Sequence, residues 1–194
     1  MRKQLSELSK EELWDFFPLA LKEYNPYYKA WYRIEKKSIL EKIKTDYISR
    51  INHIGSSAVE DLLAKPIIDI LLEIDGCCNL AQLIIDLQAI GWELNERRND
   101  PMSLMFIKGY TPDGFADRVY HLHVRYLGNW NELYFRDYLM EHVEVAKEYS
   151  NLKVRLINDF KNDRNKYTDE KSEFVLKYST IARREFHDKY KPRV

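Results

Sequence analysis

The chain has 194 residues, 45% of them hydrophobic, which predicts one domain with a sizeable buried core. Its 31 basic residues balance its 31 acidic ones, so we expect no broad positive surface that binds nucleic acid. The adjacent Cys77 and Cys78 fit neither a disulfide framework nor a Cys-x-x-Cys metal site. Two free thiols are typical of a reducing compartment.

No segment of the sequence indicates a membrane. The N-terminus, Met1-Arg2-Lys3-Gln4, lacks the apolar stretch of a signal peptide. No run approaches the roughly 18 apolar residues of a transmembrane helix. We therefore expect a cytoplasmic protein without a membrane partner. The sequence leaves the oligomeric state open.

The first predicted elements are two helices. Ser9 with Glu12 forms a capping-box pattern, which predicts a helix that starts near Lys10. Asn25-Pro26 starts a second helix, which should extend to about Lys44. The buried stripe predicted for the second helix comprises Tyr27, Trp31, Ile34, Ile39 or Leu40, and Ile43.

A strand, a tight turn and a second strand follow. Tyr47–Ile54 is rich in β-branched and aromatic residues and predicts a strand that ends at Gly55-Ser56. Ser57 with Glu60 forms another capping box, which predicts a short helix at this turn. The apolar run Ile67–Ile74 is typical of a strand buried on both faces.

The remaining elements complete a mixed core and a helical C-terminal part. A helix should end at Gly91, and a hairpin with a longer loop should follow it. We therefore expect an α/β (α+β) domain with a core of about residues 25–127 and a helical part of about 129–190. The predicted elements are the helix Asn79–Ile90, the strands Ser103–Tyr110 and Arg118–Tyr126, and the helices Asn131–His142, Val143–Phe160 and Thr168–Tyr190.

The Gly55 turn and Asp69 are the first candidates for chemistry. Unpaired N–H groups at a helix start attract phosphate, and the hydroxyls of Ser56 and Ser57 would add to the site. A strand-to-helix turn also needs Gly and Ser for purely structural reasons. Asp69 lies within an apolar run, where a carboxylate must be paired or bound to a metal. An ion pair with Lys65 or an arginine is the structural alternative.

The Gly-Ser turn and Asp69 belong to a series of short sequence blocks spread along the chain. The blocks are His53-Ile54-Gly55-Ser56-Ser57-Ala58-Val59, Ala64–Ile70, His121–Val124, Phe135–Leu139, Tyr149–Lys153, Tyr167 and Lys171. In this order, over nearly the whole chain from Tyr24 onward, they resemble the GrpB family of the nucleotidyltransferase superfamily. The resemblance implies a nucleotidyltransferase-like mixed sheet flanked by helices.

The resemblance also implies a metal-assisted site that departs from the pattern of the superfamily. Nucleotidyltransferases place Gly-Ser before a strand with an acid-x-acid pair, and these acids bind two divalent metals that orient the nucleotide. Gly55-Ser56 and Asp69 match this pattern, but Leu71 stands where the second acid would be. Glu73 is roughly 13 Å from Asp69 along a strand, too far for metals about 3.5–4 Å apart.

Two histidines on the later strand could complete a metal site. His121 and His123 are two residues apart, so their side chains should share one face of the sheet. With Asp69 they would form a two-His, one-carboxylate site for a divalent metal, for which we expect Mg²⁺ or Mn²⁺. The alternative is one imidazole in a core hydrogen bond and the other at the surface.

Basic residues in the family-like blocks are candidate phosphate ligands. They are Lys65, Arg136, Lys153 and Lys171. A guanidinium offers a fork for phosphate oxygens and an ammonium a compact charge. Arg136 could instead pair with Asp137 and dock its helix. His53 could contact phosphate or carboxylate, or serve packing alone.

The leading expectation is a protein that binds a nucleotide or another phosphorylated ligand with a divalent metal. If it is active, the reaction would be nucleotidyl transfer, with Asp69 as the catalytic carboxylate. A second expectation is a binding module that has lost the two-metal site. A third is an interaction protein whose basic and aromatic C-terminal helices dock a partner.

Overall fold

The computed structural model describes Ser9 and residues 16–18, 20–95, 103–160 and 164–192. The helix predicted to start after Ser9 falls mostly outside these ranges. No helix within them is long and apolar enough to cross a membrane.

Within the described residues, five strands form one mixed sheet in the order β1-β2-β5-β4-β3. Strands β2 and β5 are parallel, while β1 with β2, β3 with β4, and β4 with β5 are antiparallel. The predicted mixed sheet is therefore confirmed. Its strands are β1 (Ile48–Ile54), β2 (Ile68–Ile74), β3 (Glu93–Leu94), β4 (Ser103–Thr111) and β5 (Gly114–Tyr126).

Five α-helices flank the sheet in the described part of the chain, close to their predicted positions. Asn79 caps the second of them, because its Oδ1 accepts a hydrogen bond from the backbone N–H of Gln82 at 3.1 Å. Gly91 follows that helix at a positive φ of 86°. The helices are α1 (Tyr28–Lys42), α2 (Leu80–Ala89), α3 (Asn131–Glu141), α4 (Val143–Asp159) and α5 (Arg164–Glu185).

Alternate residues of β2 and β5 face two different environments. On the first face, Ile70, Leu72 and Leu122 are fully buried in an apolar core that includes residues of α1 and α2. On the second face, Leu71 packs with Ile54 of β1 and Leu133 of α3. The second face also carries Asp69 and Glu73 of β2 and His121, His123 and Arg125 of β5, which alternate with the apolar residues of the first face.

The buried stripe predicted for α1 is partly wrong. Tyr27 and Ile34 are 66% and 53% exposed, whereas Tyr28, Glu35 and Ile39 are buried. Glu35 can lie on the buried side because its carboxylate accepts a hydrogen bond from Lys108 Nζ at 2.7 Å. The prediction from apolar spacing chose the wrong helical face because the buried face includes a charged residue, Glu35.

The short helix predicted after Gly55 is only the 3₁₀ turn Ser56–Ala58. The predicted capping box does not form, and the hydroxyl of Ser57 instead makes a 3.1 Å hydrogen bond with His53 Nε2. The turn therefore offers fewer unpaired N–H groups in line than an α-helix N-terminus would.

The prediction of a longer hairpin loop between β4 and β5 is also wrong. Thr111 pairs directly with Gly114, so only Pro112 and Asp113 connect the two strands. The hydroxyl of Thr111 donates to the Gly114 carbonyl at 2.8 Å, which closes the turn more tightly than the sequence suggested.

Candidate functional site

Asp69, His121 and His123 meet on the second face of the sheet. The parallel pairing of β2 with β5 places Asp69 opposite His121, and His123 lies two residues further along the same face. Asp69 Oδ1 is 3.2 Å from His121 Nδ1 and 3.6 Å from His123 Nε2. We call these three residues the carboxylate–imidazole cluster.

The electrostatics of this cluster favour an ionised carboxylate and a neutral imidazole. Burial would raise the pKa of Asp69, but hydrogen bonds from His121 and His123 outweigh it and hold that pKa below its ordinary value. Burial lowers the pKa of His121, against the opposing effect of Asp69. These are the protonation states in which carboxylates and histidines bind metal ions.

The donor set and spacing of the carboxylate–imidazole cluster fit one divalent metal. One ligand atom from each residue lies within 4.8 Å of the other two. Metal–ligand bonds of roughly 2.0–2.2 Å place adjacent ligand atoms roughly 3–3.6 Å apart, and the 3.2 and 3.6 Å separations from Asp69 Oδ1 lie in this range. Two imidazole nitrogens and one carboxylate oxygen form a set that transition metals accept.

Gly55 packs directly against the carboxylate of Asp69. Its φ of 69° lies in the left-handed region, and a Cβ at this position would be 2.6 Å from Asp69 Oδ2. A side chain is therefore excluded here both by the backbone conformation and by the close approach. The Gly-Ser turn and the carboxylate–imidazole cluster form one continuous surface.

Lys153 reaches the same turn from helix α4. Its buried Nζ donates to Ser56 Oγ at 3.1 Å and to the carbonyl of Leu63. Burial, together with the charges of Lys171 and Lys65, lowers the pKa of Lys153 to about 7. A buried amine beside two other cations favours an anionic partner at this position.

Lys65 and Lys171 gather around the ring of Tyr167. Their Nζ atoms lie 5.6 and 4.4 Å from its centroid. Together with Lys153 they form what we call the lysine cluster. Three of the four basic residues chosen from the sequence are thus brought together, at the turn that was predicted to hold phosphate.

Arg136 does not join the lysine cluster. Its guanidinium donates to Asp137 Oδ1 at 2.6 and 2.8 Å, to the backbone carbonyl of His53 at 2.8 Å and to Tyr190 Oη at 2.8 Å. These bonds tie α3 to β1 and to the C-terminal segment. The geometry favours the structural alternative for this residue.

His53 is likewise placed for packing. Its ring is buried and stacks on Tyr32 of α1, with 4.9 Å between the ring centroids. Burial lowers the pKa of His53 to about 4, so the ring is neutral at physiological pH. Its hydrogen bond with Ser57 links the ring of His53 to the Gly-Ser turn.

Leu71 and Glu73, the next two residues on the face of Asp69, add no second metal-binding acid. Leu71 is fully buried in the apolar contact with α3. Glu73 is fully buried and accepts two hydrogen bonds from Arg50, at 2.6 and 2.9 Å. The backbone N–H of Gly128 donates to it as well, at 3.2 Å. Glu73 is therefore committed to an internal ion pair.

Sequence reasoning missed two tyrosines of the site. Tyr110 makes a 2.8 Å hydrogen bond with His121 Nε2. Tyr149 lies under Lys153, whose Nζ is 4.6 Å from its ring centroid. Burial raises the pKa of Tyr149, so its hydroxyl stays protonated. The family-like block Tyr149–Lys153 was a signal for Tyr149, whereas no pattern pointed to Tyr110.

A cavity of about 680 Å³ opens beside the turn, between residues 58–63 and the helices α3 and α4. Its apolar lining includes Val59, Leu63 and Leu139, and Lys29 with Glu60 stands at its edge. The carboxylate–imidazole cluster does not line it. The cavity and the cluster therefore flank the turn as separate features.

The mixed sheet and this arrangement define an α+β protein with a candidate metal site beside a Gly-Ser turn. The family model described as "GrpB protein" matches residues 18–180. The chain therefore belongs to the GrpB family.

Curated relatives and a solved structure agree with this assignment. The chain is 35% identical to the glutamate-rich protein GrpB of Alkalihalophilus pseudofirmus, over 75% of this chain and 86% of that protein. It is 36% identical to the UPF0157 protein PA4798 of Pseudomonas aeruginosa, over 66% of this chain and 52% of that longer protein. The crystal structure of GrpB from Enterococcus faecalis superposes with a TM-score of 0.73 at 26% identity, covering 86% of this chain and 99% of that one.

Proposed function

We propose that this protein binds a nucleotide, or another phosphorylated ligand, together with a divalent metal. The supporting observation is that Asp69, His121 and His123 converge beside the Gly55 turn. The carboxylate–imidazole cluster would hold the metal. Gly55, Ser56, Ser57 and the lysine cluster of Lys65, Lys153 and Lys171 would hold the phosphates.

The donor chemistry bears on the choice of metal. Mg²⁺ prefers oxygen ligands, whereas imidazole suits transition metals. Because two of the three ligands are imidazoles, we expect Mn²⁺ or Zn²⁺ to bind more tightly than Mg²⁺. A bound divalent metal would supply positive charge that orients and neutralises phosphate oxygens.

The protein's own residues would do the rest of the binding. Lys153 would keep its proton when a phosphate arrives, because a nearby anion offsets the cost of burying the ammonium group. Gly55 and Ser56 are partly exposed, and Gly55 abuts Asp69, so a ligand at Asp69 would lie next to the backbone of the turn.

Nucleotidyl transfer is the reaction that this arrangement would serve if the protein is an enzyme. In that case Asp69 would be the catalytic carboxylate. The buried, apolar Leu71 favours the alternative of a binding module without catalysis, because two-metal chemistry needs a second acid near Asp69.

Calorimetric titration with ATP, CTP, GTP and UTP, each with and without Mn²⁺ or Mg²⁺, tests the binding proposal. We expect metal-dependent binding of at least one nucleotide in the wild type and its loss in Asp69→Asn. The matched control is Asp46→Asn, which changes an exposed aspartate whose side chain pairs only with Lys44 in the described structure. Absence of binding in the wild type, or equal binding in Asp69→Asn, would overturn the metal-dependent proposal for these ligands.

Metal content and turnover separate the remaining alternatives. Purified wild type should retain more Mn²⁺ or Zn²⁺ than a His121→Ala/His123→Ala double variant, as measured by elemental analysis. Incubation with α-labelled nucleotide and a small-molecule extract then tests transfer. Labelled product would support an enzyme, whereas metal-dependent binding without product would support the binding module.

A further inference from the structure

Tyr110 reaches the carboxylate–imidazole cluster through an irregularity in the β4–β5 ladder. Lys108 pairs with Tyr120, but Tyr110 pairs with Phe115, so Gly109 alone lies opposite residues 116–119. Gly109 has a φ of 90°, and a Cβ on it would overlap the backbone carbonyl of Arg118. Only glycine fits this position.

The irregularity reverses the face on which Tyr110 lies. Regular alternation along β4 would place Tyr110 with Phe106 on the first face, in the apolar core. Instead its ring stacks on His121 of the second face, with 6.0 Å between centroids and 11° between planes. Bulges commonly redirect side chains in this way next to functional sites.

The hydroxyl of Tyr110 and Asp69 hold the two ring nitrogens of His121 from opposite sides. Tyr110 Oη lies 2.8 Å from Nε2, while Asp69 Oδ1 lies 3.2 Å from Nδ1. A hydroxyl can donate a hydrogen bond or accept one. It can therefore donate to Nε2 when the proton of His121 is on Nδ1, and accept from Nε2–H when a metal occupies Nδ1.

The ring of Tyr110 is itself held in place by aromatic packing. Phe17 meets it edge-on at 4.8 Å and Phe115 at 5.2 Å between centroids. Removing the hydroxyl alone would keep this packing. The tyrosine is thus a fixed support rather than a mobile surface side chain.

We infer that Tyr110 is a positioning residue that orients His121 for metal binding. It acts through His121 and holds Nδ1 toward Asp69, which raises the affinity of the cluster for a divalent metal. This inference rests on the metal site of the proposed function.

Titration of Tyr110→Phe with Mn²⁺ and with Zn²⁺ tests the inference. Loss of a hydrogen-bond partner to a metal-binding histidine weakens affinity roughly 10- to 100-fold, and we expect a loss in this range. The matched control is Tyr178→Phe, because Tyr178 Oη donates to Glu148 in the remote contact between α5 and α4. An unchanged dissociation constant in Tyr110→Phe would overturn the positioning role.

A spectroscopic measurement on the metal-free protein keeps this test separate from the proposed function. In ¹⁵N spectra of the imidazoles, the His121 Nε2 signal should move in Tyr110→Phe, while the His142 signals stay in place. If the wild type binds neither metal, the metal site of the proposed function fails. The His121 signal then still tests the contact itself: an unmoved signal overturns the hydrogen bond from Tyr110, and a moved one supports a role of Tyr110 in holding the ring, without a role in metal binding.

Discussion

Strand β2 carries one carboxylate near each end of the same face, and the two have different partners. Glu73 has no exposed side-chain surface and accepts two hydrogen bonds from the guanidinium of Arg50. Asp69 keeps 29% of its side chain exposed and faces the imidazoles of His121 and His123. One end of β2 is closed by a permanent cation, and the other end remains open to solvent.

This contrast distinguishes a structural carboxylate from a candidate ligand. A buried carboxylate that is paired with a guanidinium has its charge and hydrogen bonds satisfied within the fold. An ionised carboxylate beside two imidazoles keeps lone pairs that a metal can use. Leu71 lies between the two and isolates them, since its side chain fills an apolar contact with Leu133.

Removing Arg50 should produce the largest effect, at the structural end of β2. Arg50→Ala would leave Glu73 buried without its cation, which costs about 3–5 kcal/mol in the free energy of unfolding. Chemical denaturation measures this loss. Metal titration of the folded fraction should remain close to the wild type, because Arg50 does not contact the carboxylate–imidazole cluster.

The double variant Arg50→Ala/Glu73→Leu is the control for this prediction. Replacing both partners removes the unpaired charge, so much of the lost stability should return. If Arg50→Ala costs less than about 1 kcal/mol, in the range of an exposed pair, the distinction between the two ends of β2 is wrong.

A side chain at Gly55 should have an intermediate effect, at the open end. Gly55→Ala would put a Cβ 2.6 Å from Asp69 Oδ2 at a φ of 69°, and such strain costs about 1–3 kcal/mol. Thermal unfolding should show this loss, and metal titration should show weaker binding because Asp69 must move.

Gly76→Ala is the matched control for Gly55→Ala. No atom lies within 4 Å of a Cβ at Gly76, and its φ is not positive. Stability and metal affinity should stay close to those of the wild type. Equal behaviour of the two alanine variants would contradict the close packing of the turn on Asp69.

The smallest predicted effect is the change in the free energy of unfolding that Lys153 causes over a single pH unit above its pKa of about 7. Its pKa is about 7 in the folded protein and 10.5 as an ordinary lysine. Between these values the unfolded chain binds a proton that the folded chain lacks, so the free energy of unfolding should rise with pH. The contribution reaches at most about 1.4 kcal/mol per pH unit, and Lys153→Met should remove it.

The control for Lys153→Met is Lys147→Met, which removes an exposed lysine of the same helix and should leave the pH dependence unchanged. Nucleotide binding should show the opposite sign. A phosphate favours the protonated amine, so affinity should fall as pH rises above about 7. A pH-stability profile of Lys153→Met parallel to that of the wild type would contradict the lowered pKa.

Much of this fold could be predicted because its signals are local. Asn79 and Gly91 mark the two ends of α2, and the almost continuous apolar run of β2 identifies a doubly covered strand. The meeting of His121 and His123 on one face follows from strand alternation alone. Their approach to Asp69 was expected from the resemblance to the GrpB family.

The features that were missed depend on register between distant segments. Arg50 pairs with Glu73 only because β1 and β2 align those two positions. Tyr110 meets His121 only because the ladder slips at Gly109. Arg136 reaches the backbone carbonyl of His53 because α3 crosses β1. No short-range pattern in the sequence encodes these alignments.

The parallel pairing of β2 with β5 also has a consequence for folding kinetics. Asp69 and His121 are adjacent in space but separated by the whole of α2, β3 and β4 along the chain. Such long-range pairing closes a large loop and is slow to form. The carboxylate–imidazole cluster is therefore assembled only when that loop has closed. A metal added during refolding would therefore bind at the rate at which β2 and β5 pair, and its binding would measure the formation of the native topology.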